Sequence, residues 1–146
     1  MRNLNWAFAG VLAVAAAHQA SAQTQAQAHA EKEAFLQSVL SPKGLANYHS
    51  MINFMSPRAP GVVGPEAWYL SILGVAPGWQ GKGLGARLLQ PTLLEADAAG
   101  ATCFLETFST RNHAFYARLG FHSAAAYFEP VSGHAYHILL RPPGAT

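Results

Sequence analysis

The sequence is short of charge and almost without cysteine. Lys, Arg, Asp and Glu make up 11% of its 146 residues and leave a formal charge of only +2. No run of Lys or Arg interleaves with aromatic residues, as a nucleic-acid-binding face requires, so nucleic acid is not an expected partner. The single cysteine, Cys103, has no partner for an internal disulfide, and its apolar neighbours predict buried packing rather than redox or nucleophilic chemistry. No His-Glu-x-x-His or Cys-x-x-Cys is present. His134 and His137 fall in a strand-like segment, where a separation of three turns side chains to opposite faces; no metal is expected. The apolar run from Trp6 to Ala17 is too short to span a bilayer comfortably, so no stable membrane span is expected.

What is present is a globular composition, 51% hydrophobic and 11% aromatic, long enough for one compact domain. Residues 1–22 stand apart. Arg2, the apolar run and Ala20-Ser21-Ala22 together read as a secretory leader with a small-residue cleavage site. Residues 23–64 read as a linker, "QTQAQAHA", followed by two short helices over Glu31–Leu40 and Leu45–Met55, separated by Ser41-Pro42-Lys43-Gly44. The third segment, 65–142, begins with a strand over Ala67–Val75. A helix after the glycines carries Leu84, Leu88, Leu89, Leu93 and Ala96, with Pro91 predicted to bend it and Gly100 to end it. A second strand, "ATCFLETF", a short helix from Arg111 to Leu119, and two strands joined across Glu129–Gly133 complete the order.

The stretch "GWQGKGLG", Gly78 to Gly85, places four glycines at the start of a helix. Such turns hold phosphate oxygens on free N–H groups at the positive end of the helix dipole. A plain surface turn is the alternative. A P-loop fails because Ala76 replaces the first glycine and Gly83 the hydroxyl residue. A dinucleotide fingerprint fits better: Gly81, Gly83 and Ala86 fill it, and Glu106 falls where a ribose ligand belongs. Against it, five residues separate the strand from the glycines, and too little chain follows Glu106 for the rest of that sheet.

"LGVAPGWQGKGLGARLL" resembles the acyl-CoA-binding motif of the GNAT superfamily of N-acetyltransferases. Val75, Pro77, Gln80, Gly81, Gly83 and Gly85 fill every specified position. The similarity continues through "GATCFLETFSTRNHAFYARLGF", covers about 67–141, and is greatest to puromycin N-acetyltransferase-like members. It implies an α/β (α+β) fold, a GNAT-like mixed sheet in strand-helix-strand-helix-strand-strand order. It also implies acetyl-CoA as co-substrate and a small-molecule amine as acceptor. By the same resemblance, the N–H groups of Gln80, Gly81, Lys82, Gly83, Leu84 and Gly85 would hold the pyrophosphate. Leu73 and Val75 would pair with the pantetheine arm, Asn112 would hydrogen-bond it, and Tyr116 would protonate the departing thiolate. Positions 112 and 116 share one helical face, which agrees with this independently. Glu66 and Glu106 are the carboxylates expected to serve as base, directly or through water.

The family places a strand, two helices and two further strands before this motif. Residues 23–66 show no convincing strand, so the sheet is expected to be truncated on its N-terminal side, with uncovered edges open to a homodimer. A non-catalytic CoA- or nucleotide-binding remnant is the alternative reading. Acetyl-CoA chemistry implies the cytoplasm, whereas a cleaved leader implies export.

Overall fold

The computed structural model describes residues 6–8, 11–14 and 22–145. Two strands, β1 (Trp6–Phe8) and β2 (Val11–Val14), precede helices α1 (Ala22–Val39) and α2 (Pro42–Met55). Then come β3 (Trp68–Tyr69), β4 (Ile72–Val75), α3 (Leu84–Ala98), β5 (Cys103–Thr107), α4 (His113–Ala117), β6 (His122–Glu129) and β7 (His134–Arg141). The expected mixed sheet and its order of elements from 67 to 140 are found.

Several expectations are corrected. The polar stretch "QTQAQAHA" is the first part of α1 rather than a linker. Ala and Gln are strong helix formers, neither Gly nor Pro interrupts them, and Gln27 donates to Glu31 one turn on at 3.1 Å. Helix α2 starts before Leu45, because Ser41 accepts from the Gly44 N–H at 3.2 Å and Pro42 suits the first turn. On the N-terminal side there is also a separate three-stranded sheet in the order β1-β2-β4. β2 lies antiparallel to β4, with Leu12 opposite Gly74, and β1 lies antiparallel to β2. These strands come from the stretch read as a leader, ahead of both helices in the chain, and they cover the edge of β4 that was expected to be open.

The predicted strand 67–75 is two strands with different partners. β3 runs parallel to β5, with Tyr69 opposite Phe104, and the last rung is Leu70 N–H to the Phe104 carbonyl at 2.9 Å. After that rung β4 leaves β5 for β2. The strands therefore part at Leu70, inside the stretch read as one strand. The larger sheet has the order β3-β5-β7-β6, and β6 and β7 form the expected hairpin. Its turn is held by the Glu129 carboxylate, which accepts from the N–H groups of Val131 at 2.8 Å and Ser132 at 2.6 Å. Burial pushes that carboxyl up, but the hydrogen bonds from Ser132 and Val131 outweigh it and hold it below its ordinary value.

The two faces of the larger sheet differ because strand side chains alternate. Cys103, Leu105 and Leu139 face α3, whose Leu89, Leu93 and Ala96 lie four and three residues apart and are buried against them with Phe121. Phe104, Glu106 and Ile138 face the other way. Pro91 sits within α3, which runs unbroken past it to Ala98.

Helix α3 is fixed at its C-terminal end. Arg141, 3% exposed at the end of β7, places its two terminal nitrogens on the two Asp97 carboxyl oxygens at 2.6 and 2.8 Å. The same guanidinium donates to the carbonyls of Leu119 and Ala145, and Gly144 N–H adds to Asp97. The Arg141 hydrogen bond, reinforced by that of Gly144, lowers the Asp97 carboxyl from 3.8 to about 2. A depressed acid stabilises the fold fully above its unfolded value and loses that contribution as pH falls toward the folded one. The Asp97→Asn variant should therefore melt earlier than the native chain at pH 6, and the gap should narrow between about pH 4 and 2 in thermal melts.

Candidate functional site

The parting of β4 from β5 opens a gap, and the glycine turn follows at the end of β4. Pro77–Trp79 make a short 3-10 turn, and the Gln80 side chain donates back to the Val75 carbonyl at 2.8 Å, fixing the turn to the end of β4. Gly81 and Gly83 follow with φ of 75° and 72°, a left-handed conformation that side chains resist. A Cβ at either would have no heavy atom within 4 Å. The space in front of both is open.

Gly83 caps α3 with no side-chain hydrogen bond. Among the described residues, the N–H groups of Gly81, Lys82, Gly83, Leu84 and Gly85 make no backbone hydrogen bond in the turn. These free donors meet the positive end of the α3 dipole, an arrangement suited to an anion. Gly85 is glycine for a different reason. A Cβ there would meet Phe115 Cζ at 3.2 Å and Leu73 Cδ2 at 3.6 Å, so its smallness lets α4 pack under the start of α3. The Leu73 side chain belongs to this packing. The Lys82 ammonium lies 4.9 Å from the Trp79 ring centre, and Trp79 is half exposed.

Asn112, exposed at the start of α4, makes no capping bond with its side chain. Tyr116 is half-buried, its ring edge-on to Phe115 at 5.0 Å and to Phe121 at 5.8 Å. Burial raises the Tyr116 hydroxyl above its ordinary value, so it keeps its proton. Nearby, His113 and His137 meet edge to face at 4.6 Å with both Nε2 atoms buried and unpartnered. Burial, then the neighbouring His113, lowers His137.

Glu106 and Glu66 separate. Glu66 sits in an exposed turn before β3, at the end of the strand away from the glycines. Glu106 lies on β5 just past the last rung to Leu70. One carboxyl oxygen accepts from Tyr69 at 2.9 Å, and the other accepts from the fully buried Tyr136. Burial and Glu106 together raise both phenols, which stay protonated as donors. Sequence reasoning missed both tyrosines, because only the pairing of β3 and β7 with β5 brings them to this carboxylate.

Residues 52–123 match the family model described as an acetyltransferase (GNAT) domain. The chain carries a GNAT acetyltransferase domain. Mosquito arylalkylamine N-acetyltransferase like 5b superposes with a TM-score of 0.58 at 16% identity, over 91% of this chain and 68% of that one, which supports the fold. The Escherichia coli ribosomal-protein-S18-alanine N-acetyltransferase is 27% identical over 57% of this chain and 59% of its own, with a TM-score of 0.46. Another acetyltransferase is 27% identical over 56% of this chain and 43% of its own, with a TM-score of 0.44. The chain thus spans about half the length of these last two relatives. The GNAT family generally uses acetyl-CoA, and the open, donor-rich turn fits its pyrophosphate. No helix among the described residues is long and apolar enough to cross a membrane.

Gly100, at the far end of α3, supplies a control for the turn. Its φ is 65°, and a Cβ there also meets nothing within 4 Å. Gly83→Val and Gly100→Val should cost similar stability. Only the first should weaken acetyl-CoA binding measured by calorimetry, by roughly tenfold or more, because one charge-assisted hydrogen bond is worth about 1.5–3 kcal/mol.

Proposed function

We propose that the chain is an acetyl-CoA-dependent N-acetyltransferase acting on a small-molecule amine by direct attack. The observation that carries this is the glycine turn with free N–H groups at the mouth of the parted strands. Acetyl-CoA supplies the acetyl thioester. The N–H groups from Gly81 to Gly85 hold its pyrophosphate, and the edge of β4 beyond Leu70, free on the side of β5, offers backbone groups to the pantetheine arm. Asn112 adds a side-chain hydrogen bond to that arm.

Glu106 takes the proton that the ammonium must lose before its nitrogen can attack, directly or through water. The nitrogen bonds to the thioester carbon, the carbon–sulfur bond breaks, Tyr116 gives its proton to the leaving thiolate, and the second proton shed by the nitrogen returns through solvent to the Tyr116 phenolate. Its raised hydroxyl suits a group that must arrive protonated. Glu66 is too far along the strand for this reaction.

The test is thiol release from acetyl-CoA across a panel of small primary amines, with binding measured separately. Tyr116→Phe keeps the ring and its packing, so melting temperature and acetyl-CoA affinity should hold while turnover falls by about 10²–10⁴-fold. A fall in rate that merely follows a fall in stability would place Tyr116 in the core alone. Acetyl-CoA binding with no turnover on any amine would favour the alternative of a non-catalytic CoA-binding remnant.

A further inference from the structure

Glu106 is held more elaborately than a base requires. Two phenols donate to one carboxyl group, the pattern of an ionised acceptor. Its Tyr136 side is buried, whereas the Tyr69 bond lies at the surface and Tyr69 is 37% exposed. Aromatic rings surround the pair. Tyr69 stacks on Phe104 at 4.8 Å, and Tyr136 packs against Phe108 at 5.6 Å and Tyr127 at 5.9 Å. An anchored carboxylate ringed by aromatic faces is the chemistry that binds an organic ammonium ion. Beyond Tyr127 stands the Arg58 guanidinium, 5.2 Å from that ring, so a second positive charge on the ligand would be repelled there.

Resting on the acetyl-transfer reading, we propose that Tyr69, Glu106 and Tyr136 form the acceptor site, which binds the amine as its cation, and that the acceptor is a compact monoamine with an apolar or aromatic body. Glu106 and Tyr69 set this specificity and Tyr136 positions the carboxylate from behind. The cluster lies on the sheet face opposite Leu105 and α3, so an amine held there reaches the gap without crossing the core.

The probe is phenethyltrimethylammonium, a fixed cation that cannot be acetylated, titrated by calorimetry into the full chain beside its neutral carbon isostere and a linear diamine. The cation should bind at least about tenfold tighter than either. Glu106→Gln should weaken it about tenfold and Tyr69→Phe several-fold, with acetyl-CoA affinity unchanged. Equal binding of the neutral isostere, tighter binding of the diamine, or no binding of the cation by the native chain overturns the proposal. So does unchanged cation affinity in Glu106→Gln. Where Glu106→Gln melts early, Tyr69→Phe decides, because its ring is at the surface and its hydroxyl bonds only to Glu106 among the described residues. A native chain that fails to bind acetyl-CoA overturns the transferase reading, and the separate titration tells that failure apart.

Discussion

The hydrogen bond from Leu70 N–H to the Phe104 carbonyl is the last rung between β3 and β5, and the architecture of the site depends on its being the last. A strand that leaves its neighbour inside a sheet abandons backbone hydrogen bonds, so it must satisfy them elsewhere. β4 does so on its other edge, in register with β2 from Val11 opposite Val75 to Val14 opposite Ile72. β5 does so with β7. Each side of the gap is thus stabilised by a strand that has no part in the gap itself. The residues read as a leader and the strands that complete the sheet compete for the same stretch: a cut after Ala22 would remove both β1 and β2 and leave β4 with an unpaired edge.

Helix α3 turns this opening into a directed one. The Arg141 fork on Asp97 pins its C-terminal end to β7, and Leu89, Leu93 and Ala96 pin its length to the sheet. Its N-terminal end is therefore held rigidly at the gap while its first N–H groups remain free. Gly85 brings Phe115 of α4 under the same end, which fixes a helix of only five residues that could not hold its place unaided.

Much of this was legible in the sequence where the signal was local. Glycine spacing, the alternation in β5 and the spacing of Leu89, Leu93 and Ala96 are properties of a few neighbouring residues, and they gave the turn, the strands and α3. Pairing is not local. Nothing in "AWYLSILGV" marks Leu70 as the point of departure, because both halves carry the same β-forming residues and only their partners differ. The pairing of β3 and β7 with β5 likewise decides that Glu106 meets two tyrosines while Glu66 meets none. Gly85 fitted the phosphate pattern as well as Gly81 and Gly83 did, yet its neighbour is a phenyl ring. "QTQAQAHA" looked like a linker for its low complexity, although its residue types favour helix.

The alternation of β5 also bears on the chemistry proposed for the gap. The proposed reaction uses its acid and its base on different atoms, the thioester sulfur and the amine nitrogen, so the two need not share one face. Leu105 and Glu106 are adjacent in sequence and point to opposite faces. Tyr116 packs with the Leu105 face, and Glu106 lies on the other with its own donors, Tyr69 and Tyr136. In the proposed reaction a molecule lying across the parting of the strands would present its nitrogen to one face of the sheet and its sulfur to the other. On that reading, the hydrogen bond that ends at Leu70 sets where the proposed base, on the amine nitrogen, and the proposed acid, on the thioester sulfur, would act from opposite faces.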